Sequence, residues 1–225
     1  MNVLAIDTST GRLNLAISVK GVVKVTKETQ DKNILSSTLM TDIQSSLKKT
    51  RLTFSDIDLF VVGLGPGSFT GLRIGLATLK GILFALQKPL IGVSSLDACA
   101  QGWPHDHSQI CVIMDARRQL VYTNLYTKKN GSLVKKGKPR LTDLVSATKD
   151  LKREVIFLGD AISLYEKGLK HNKNFKAVLA DQHLWCPRAQ HLIPLALKRF
   201  QKKDVDNSAT LVPLYLYPED CQVTR

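Results

Sequence analysis

The sequence predicts an α/β protein made of two tandem units, each with the element order β-β-β-α-β-α-β and with helices packed on mixed sheets. Short β-type runs separated by glycine turns are followed by helical apolar spacing and a continuous apolar run, and this succession begins again at Ile110. Both copies open with an apolar strand that ends in an aspartate, Asp7 in the first and Asp115 in the second. The repeated order defines the fold class.

The first unit opens with three short strands. Turns at Thr10-Gly11 and Lys20-Gly21 separate them, as expected for consecutive antiparallel hairpins. Leucine and isoleucine then recur every fourth residue, which predicts the first helix, and a continuous apolar run follows that is typical of a strand buried on both faces. The predicted strands are 3–7, 13–19, 22–29, 57–65 and 89–95, and the predicted helices are 33–49 and the glycine-rich segment 65–86.

The second unit repeats the order with a weaker sequence signature. The polar stretch 103–109 contains Pro104 and marks the boundary, so we expect an N-terminal subdomain of residues 1–104 and a C-terminal subdomain of residues 105–225. Its predicted strands are 110–117, 119–128, 132–141, 154–161 and 175–181, and its predicted helices are 142–152, 162–170 and 188–200.

Composition indicates a soluble globular protein. Of the 225 residues, 44% are apolar and 23% are charged, and no run approaches the roughly 20 apolar residues that span a bilayer. The four cysteines are scattered and form no C-x-x-C pair, which argues against a disulfide framework or a zinc knuckle. We therefore expect a cytoplasmic protein that has no membrane partner.

The positive charge is concentrated in the second half of the chain. The net charge is +13, with 11 basic and 7 acidic residues in 1–104 and 21 basic and 12 acidic residues in 105–225. Such an excess attracts polyanions, so nucleic acid is a candidate partner, although solubility explains the charge equally well. Aromatic residues make up 6% of the chain, too few to indicate a platform for stacking bases.

This element order resembles that of the actin-like (ribonuclease H-like) ATPase superfamily. The resemblance implies that ATP lies between the halves, held by an aspartate after the first strand, a glycine-bearing hairpin and a glycine-rich adenosine loop. Asp7, Thr8 and Ser9 match the first of these, although Asp and Thr also open ordinary tight turns. The second unit has no glycine in 114–118 and a single glycine, Gly159, at the adenosine loop, so we expect these three residues to form a vestigial nucleotide site and not a complete one. We predict no catalytic residue and no metal site in this chain.

The segment that starts at Gly65 raises the question of why a helix should contain so many glycines. A phosphate-binding P-loop requires a lysine that is absent here. A helical wheel instead gathers small residues on one side, which allows the helix to pack closely on the sheet, with Ser68 or Thr70 as the N-cap. The glycines assigned to the turn and to close packing are Gly65, Gly67, Gly71 and Gly75.

The opposite side of the same helix is predicted to bind a partner. Apolar residues surround two isolated cations there, which is more apolar surface than a solvent-facing helix of a monomer carries. The preceding helix covers part of this surface, and we expect helices of a partner to cover the rest. The residues concerned are Phe69, Leu72, Arg73, Leu76, Lys80 and Leu83, with Leu39 and Ile43 from the preceding helix.

Particular motifs closely resemble the TsaB (YeaZ) family of bacterial tRNA threonylcarbamoyladenosine biosynthesis proteins, a glycoprotease-like branch of the actin-like superfamily. They are LAIDTST, VGLGPGSFTGLRIGLATLKGILFAL, PLIGVSSLDA, VIMDAR and VPLYL. The resemblance implies an accessory subunit without a complete active site. Such a subunit binds its paralogue TsaD and, with the ATPase TsaE, supports threonylcarbamoyl transfer to the adenosine beside the anticodon of tRNAs that read ANN codons. ATP and Mg²⁺ are then used by the complex.

The resemblance also places the helices of the first unit in a bundle with the partner or with a second copy of the chain, at the eight partner-binding residues named above. One departure concerns the start of the first helix. Many relatives have a His-Ser pair there, whereas this chain has Asp31-Lys32-Asn33 in that region. Because the catalytic paralogue binds metal through histidines of its corresponding helix, this difference argues further against catalysis here.

Three hypotheses follow from the sequence. The leading one is a non-catalytic assembly subunit for tRNA modification. The alternative is an active Mg-ATP-dependent ATPase or kinase of the same fold, motivated by Asp7, Thr8 and Ser9. A third is direct binding of tRNA by the basic second half, which predicts binding that weakens steeply with added salt.

Overall fold

The structure, a computed structural model, describes residues 1–29, 34–106 and 109–217. The contacts divide the chain into two units: residues 1–98 with 187–213, and residues 99–186 with the described residues from 214 onward. The segment Asp31-Lys32-Asn33, where the first helix was predicted to begin, lies outside the described residues.

The first unit contains a five-stranded mixed sheet. Its strands are β1 (Val3–Asp7), β2 (Asn14–Val19), β3 (Val22–Glu28), β4 (Leu59–Gly63) and β5 (Leu90–Val93). They lie in the order β3-β2-β1-β4-β5, with an antiparallel meander from β1 to β3 and parallel pairing of β1 with β4 and of β4 with β5. β1 and β4 are buried along their whole length, as expected for central strands covered on both faces.

Two helices cover one face of this sheet. They are α1 (Leu35–Lys49) and α2 (Phe69–Leu86), and a short helix, α3 (Ser95–Gln101), follows β5. The leucines of α1 and α2 pack with Leu4, Ile6 and Phe60 of the sheet in one hydrophobic core. Helix α3, which begins at Ser95 two residues after the end of β5, was not predicted from the sequence.

The second unit repeats the topology of the first. Its sheet has the order β10-β9-β6-β7-β8, the counterpart of β5-β4-β1-β2-β3. Helices α4 (Leu144–Thr148) and α5 (Ile162–Lys170) share a core with one face of the sheet. The strands are β6 (Gln109–Asp115), β7 (Leu120–Lys129), β8 (Ser132–Asp143), β9 (Arg153–Leu158) and β10 (Phe175–Leu179). The predicted α/β class and the repeated element order are confirmed.

The last helix, α6 (Ala189–Phe200), belongs to the first unit, although we predicted that residues 105–225 form one subdomain. Its buried residues Leu192, Ile193 and Ala196 pack on the face of the first sheet that α1 and α2 leave uncovered. The contact boundary also falls near residue 98 and not at 104. Helix α6 belongs to the first unit because its apolar stripe covers the second face of that sheet. The first unit is therefore built of three layers, helices, sheet and helix.

A strap of residues 201–213 returns from α6 along the edge of the first sheet. Arg199 holds it through hydrogen bonds to both carboxylate oxygens of Asp204 and of Asp206, at 2.7 to 3.0 Å. Asp206 also accepts a hydrogen bond from the N–H of Gly92 in β5, at 2.7 Å. Charge-assisted hydrogen bonds of this kind fix the path of a segment that has little secondary structure of its own.

Helix α2 packs unusually close to the turn that joins β1 and β2. A Cβ at Gly71 would lie 2.3 Å from the carbonyl oxygen of Thr8, and a Cβ at Gly75 would lie 2.3 Å from the Thr8 hydroxyl. A Cβ at Gly67 would lie 2.2 Å from the carbonyl oxygen of Ser9. Ser68 is the N-cap, and its hydroxyl accepts a hydrogen bond from the N–H of Gly71 at 3.2 Å. Glycine is therefore required here for close approach, and the neighbour it approaches is a turn.

Two glycines of α2 give a matched test of this packing. We expect Gly71→Ala to destabilise the chain by about 1–3 kcal/mol, because the new methyl group meets a backbone carbonyl that cannot move aside. Gly81 has open space around its Cβ position, so we expect Gly81→Ala to stabilise the chain by about 0.5–1 kcal/mol through helix propensity. Urea unfolding of both variants measures the difference. Equal free-energy changes in the two variants would contradict the close approach.

Candidate functional site

The carboxyl group of Asp7 lies at the carboxyl end of β1 and is held by two serines. Its Oδ1 accepts hydrogen bonds from the backbone N–H of Ser9 at 2.8 Å and from the Ser9 hydroxyl at 2.5 Å. Its Oδ2 accepts one from the hydroxyl of Ser95, at the start of α3, at 2.6 Å. The Ser95 hydroxyl in turn accepts a hydrogen bond from the N–H of Gly65 at 3.0 Å. The carboxyl group thus ties β1 to the start of α3 and to the loop before α2.

Burial dominates the electrostatics of Asp7. The residue is 2% exposed, and desolvation raises the pKa of its carboxyl group above the ordinary value, although the hydrogen bonds from Ser9 and Ser95 oppose that rise. Space around the group is also filled, since a Cβ at Gly63 would lie 1.9 Å from Oδ2. The carboxyl group is therefore an internal structural element.

The predicted vestigial nucleotide site, Asp7, Thr8 and Ser9, does not fit a magnesium–nucleotide complex. Thr8 is 0% exposed and Ser9 is 2% exposed, because α2 covers the turn. The N–H of Ser9 donates to Asp7, and the N–H of Gly11 donates to the carbonyl oxygen of Thr8 at 3.0 Å. Phosphate binding needs amides that point outward, and Mg²⁺ needs accessible carboxylate oxygens. These amides and both Asp7 oxygens are already engaged within the chain.

The equivalent turn of the second unit differs in conformation. Asp115 accepts a hydrogen bond from the N–H of Arg117 at 2.8 Å. Arg117, Arg118 and Gln119 then adopt positive φ angles of 66°, 52° and 60°, which is uncommon for residues other than glycine. Gly159 serves a packing role, since a Cβ there would lie 1.9 Å from the carbonyl oxygen of Ile113. Neither segment forms a glycine-rich cradle.

Five of the eight predicted partner-binding residues are buried in the core of their own unit. The prediction that these residues are exposed to a partner is wrong, because their side chains are buried between α1, α2 and the sheet. Their exposures are 1% for Leu39, 0% for Ile43, 1% for Leu72, 5% for Leu76 and 2% for Leu83.

The error came from treating the glycine side of α2 as its only buried side. Leu72, Leu76, Leu79 and Leu83 form a second stripe that faces the core, beside the glycine stripe that faces the Thr8–Ser9 turn. Two adjacent buried stripes leave a narrower exposed surface, rotated away from the leucines.

What remains exposed is the outer face of α2, which we define as Phe69, Arg73, Ala77, Gly81 and Phe84. Phe69 is 54% exposed and Phe84 is 85% exposed, and the Arg73 guanidinium lies over the Phe69 ring, 3.7 Å from its centroid. Phe69 and Arg73 were predicted from the sequence and Phe84 was not. Phe84 lies eleven residues after Arg73, which is about three helical turns, and therefore on the same side of α2.

Lys80 is the last of the three predicted partner-binding residues that are not buried, and its side chain points toward the strap. Its ammonium group donates a hydrogen bond to the carbonyl oxygen of Ala209 at 3.0 Å. A groove of about 350 Å³ lies here between the end of α2 and the strap. It is lined by Lys80, Leu83, Phe84, Gln87, Asn207, Ser208 and Ala209. The exposed ring of Phe84 therefore stands beside a concave surface.

By length and composition, α2 is apolar enough to cross a membrane, which no other helix among the described residues is. No such segment was expected from the sequence, which has no run of about 20 apolar residues. One third of the helix is buried within the chain, and its leucine stripe packs in the core that it shares with α1. The high hydropathy thus comes in part from stripes that contact protein.

Comparison with known proteins agrees with this fold. A family model described as TsaD: tRNA N6-adenosine threonylcarbamoyltransferase matches residues 32–222. The TsaB protein of Bacillus subtilis is 34% identical over 219 residues, which is 96% of this chain and 94% of the relative. This chain belongs to the TsaB family. The TsaB protein of Escherichia coli is 27% identical over 96% of this chain and 94% of the relative. Both relatives are named tRNA threonylcarbamoyladenosine biosynthesis proteins.

Solved structures share the fold of this chain. YeaZ from Pseudomonas aeruginosa superposes with a TM-score of 0.81 at 23% identity, over 96% of this chain and 99% of that one. The activator of the 2-hydroxyisocaproyl-CoA dehydratase from Clostridium difficile, solved with bound ADPNP, superposes with a TM-score of 0.51 at 13% identity, over 92% of this chain and 99% of that one. These likenesses concern the fold alone.

The buried carboxyl group of Asp7 gives this TsaB-family chain a pH signature. Because its pKa is raised from the ordinary 3.8, the folded chain binds more protons than the unfolded chain, and stability falls as pH rises from 3.8 through the raised pKa. We expect Asp7→Asn to remove this component. Asp56 is the matched control, because its pKa is lowered by Thr53 and Asp56→Asn should leave the component in place. Urea unfolding across a pH series tests both variants, and an unchanged fall in Asp7→Asn would contradict the assignment.

Proposed function

We propose that this chain acts in tRNA threonylcarbamoyladenosine biosynthesis as a non-catalytic accessory subunit that presents the outer face of α2 to a TsaD-type catalytic paralogue. The observation that carries the proposal is the exposed ring of Phe84, 85% accessible, beside the groove formed with the strap. Exposed aromatic side chains next to a concave surface are frequent anchors of protein interfaces. The family membership of the chain supplies the class of partner.

The outer face has a shape that suits a partner helix. Ala77 and Gly81 are exposed and small, and Gly81 has no neighbouring atom within 4 Å of its Cβ position. Small residues in the middle of a face allow a second helix axis to approach closely, while Phe69 and Phe84 flank the contact. The stacked Arg73 adds a cation at one end. The same face serves self-association, so a homodimer of the isolated chain competes with the paralogue.

The absence of catalysis by this chain is supported by its internal chemistry. The Asp7 carboxyl group is buried and engaged by two serines, and burial raises the pKa of the Cys111 thiol to about 12. A thiol with that pKa is protonated at neutral pH and is a poor nucleophile. ATP and Mg²⁺ are accordingly assigned to the paralogue and to a TsaE-type ATPase, tRNA is the substrate of the complex, and the complex works in the cytoplasm.

Single substitutions on exposed helices test the proposed face. We expect Phe84→Glu to weaken binding to the TsaD-type paralogue by about tenfold or more, because a carboxylate replaces an exposed apolar anchor of the face. Leu164→Glu is the matched control, since Leu164 is 62% exposed on a helix of the second unit. Calorimetric titration of each variant with the paralogue measures affinity, and thermal unfolding of the free chains verifies folding. Equal affinities for Phe84→Glu and Leu164→Glu would refute this face.

The buried leucines are unsuitable for the same test. A glutamate at Leu76 or Leu83 would place an unpaired carboxylate in the core that both residues share with α1. Loss of binding in such variants would report unfolding, whereas Phe84→Glu alters the surface alone.

The alternative function, an active ATPase or kinase, makes a different prediction. If it held, Mg-ATP would bind the isolated chain in the low micromolar range and Asp7→Ala would abolish binding. We expect no such binding, because the Asp7 oxygens and the turn amides are engaged within the chain. Calorimetry of the isolated chain with Mg-ATP, with Asp7→Asn as the folded comparison, distinguishes the two functions.

A further inference from the structure

The hairpin formed by β7 and β8 is strongly basic up to the last residue of β8, which is Asp143. Residues 116–142 contain eight basic residues and no acidic residue. The basic residues are Arg117, Arg118, Lys128, Lys129, Lys135, Lys136, Lys138 and Arg140, of which all but Lys128 are exposed. We define residues 116–142 as the basic hairpin. Protein surfaces usually intersperse charges of both signs, so a stretch of one sign creates a local field that attracts polyanions.

The sheet register lines several of these cations along one face. Lys136 pairs with Leu125, Arg140 pairs with Thr123, and Lys129 lies four residues beyond Leu125 on the same strand. Lys138 lies between Lys136 and Arg140, where the register of the ladder shifts. Residues separated by an even number along a strand share a face. From the level of Thr123 to that of Lys129 the face extends about 20 Å, given the rise of each residue in a strand. A row of this length spans several phosphates of one nucleic-acid strand.

The hairpin is fixed in place at its tip. Asn130 and Gly131 form the two-residue turn with φ angles of 50° and 67°, as in a type I′ turn. The N–H of Gly131 donates to both carboxylate oxygens of Asp106 at 3.0 Å, and the ammonium group of Lys128 donates to the carbonyl oxygen of Trp103. The cations therefore stand on a preorganised ribbon, which reduces the entropy lost on binding.

Protection of an open sheet edge also accounts for lysines on a strand such as β8. The first unit provides an internal comparison, because β3 is the edge strand in the equivalent position. The β2–β3 hairpin, residues 14–28, protects its edge with Lys20, Lys24, Lys27 and Glu28. Both edge strands end in an acidic residue, so the difference lies in the cations: three lysines suffice for the first hairpin, whereas the second carries eight basic residues. The charge of the basic hairpin exceeds that need.

We propose that the basic hairpin binds the phosphate backbone of RNA through Lys129, Lys136, Lys138 and Arg140. That the RNA is tRNA rests on the proposed function. The two aromatic side chains of the hairpin, Tyr122 and Tyr126, are 7% and 0% exposed, so the surface offers no ring on which a base could stack. Recognition is consequently electrostatic and independent of base sequence, and it positions the RNA without reading it.

Matched charge reversals test the proposal. The first variant carries Lys129→Glu, Lys136→Glu, Lys138→Glu and Arg140→Glu. The control carries Lys149→Glu, Lys152→Glu, Lys167→Glu and Lys173→Glu, which make the same change of net charge at exposed positions of the same unit. Both sets keep charged side chains at the surface, so edge protection of β8 is retained in the first variant.

Fluorescence anisotropy of an unmodified tRNA transcript measures binding to the isolated chains. With four phosphate contacts, we expect the affinity of the wild-type chain to fall about 100-fold between 50 and 200 mM salt. We expect the hairpin variant to lose at least about tenfold in affinity and most of that salt dependence, and the control to keep both. Thermal unfolding establishes that each variant is folded.

Three results would overturn the proposal: no binding by the wild-type chain at low salt, equal losses in the hairpin variant and the control, or tighter binding to phosphatidylserine vesicles than to RNA. The paralogue titration of Phe84→Glu is a separate measurement. If the hairpin variant still binds the paralogue and keeps full RNA affinity, the RNA-binding proposal is refuted and the proposed function is unaffected. If Phe84→Glu keeps its affinity for the paralogue while the hairpin variant loses RNA affinity, the proposed partner face is refuted and the RNA-binding proposal is unaffected.

Discussion

The close approach of α2 to the Thr8–Ser9 turn is the constraint on which the first unit depends. With Gly71 and Gly75 against Thr8, the helix cannot rotate about its axis, and its leucine stripe is directed into the core with α1. The same approach covers the turn, and the buried Asp7 carboxyl group next to it is bound by Ser9 and Ser95. A turn that resembles a phosphate hairpin in sequence is in this way converted into a packing surface. The burial of this turn and the orientation of the outer face thus have one physical cause.

The order of the elements could be predicted from the sequence because it depends on local periodicity and on turn residues. Every predicted strand and helix corresponds to an observed one, and the observed helix α3 was not predicted. The rotation of α2 could not be predicted in the same way. A wheel assumes one buried side, whereas this helix has two, since glycine is buried against a turn and leucine against a core. With the leucine stripe assigned to the surface, Phe84 was not recognised as exposed, although it lies eleven residues after Arg73 on the same side of the helix.

The location of α6 shows a second limit of local reasoning. Its apolar stripe indicates that one side of the helix is buried, but it does not indicate which of the two sheets that side packs on. In the structure, Leu192, Ile193 and Ala196 complete the uncovered face of the first sheet, and Arg199 then directs the strap to the β5 edge through Asp204 and Asp206. The strap in turn forms one wall of the groove beside Phe84. A segment far along the sequence thereby contributes to the proposed partner surface, which a boundary placed at residue 104 would have concealed.

The two units share a topology, so a difference between equivalent positions reports what each position does beyond folding. The β2–β3 hairpin and the basic hairpin occupy the same place in their sheets, yet the second is longer, with strands of 10 and 12 residues against 6 and 7. Sheet formation explains neither the added length nor the eight cations, since the shorter hairpin forms its sheet with three lysines. Length and charge together extend a cationic face to about 20 Å. A polyanion longer than one or two phosphates is the ligand class that makes use of both properties, because counterion release grows with each phosphate contacted.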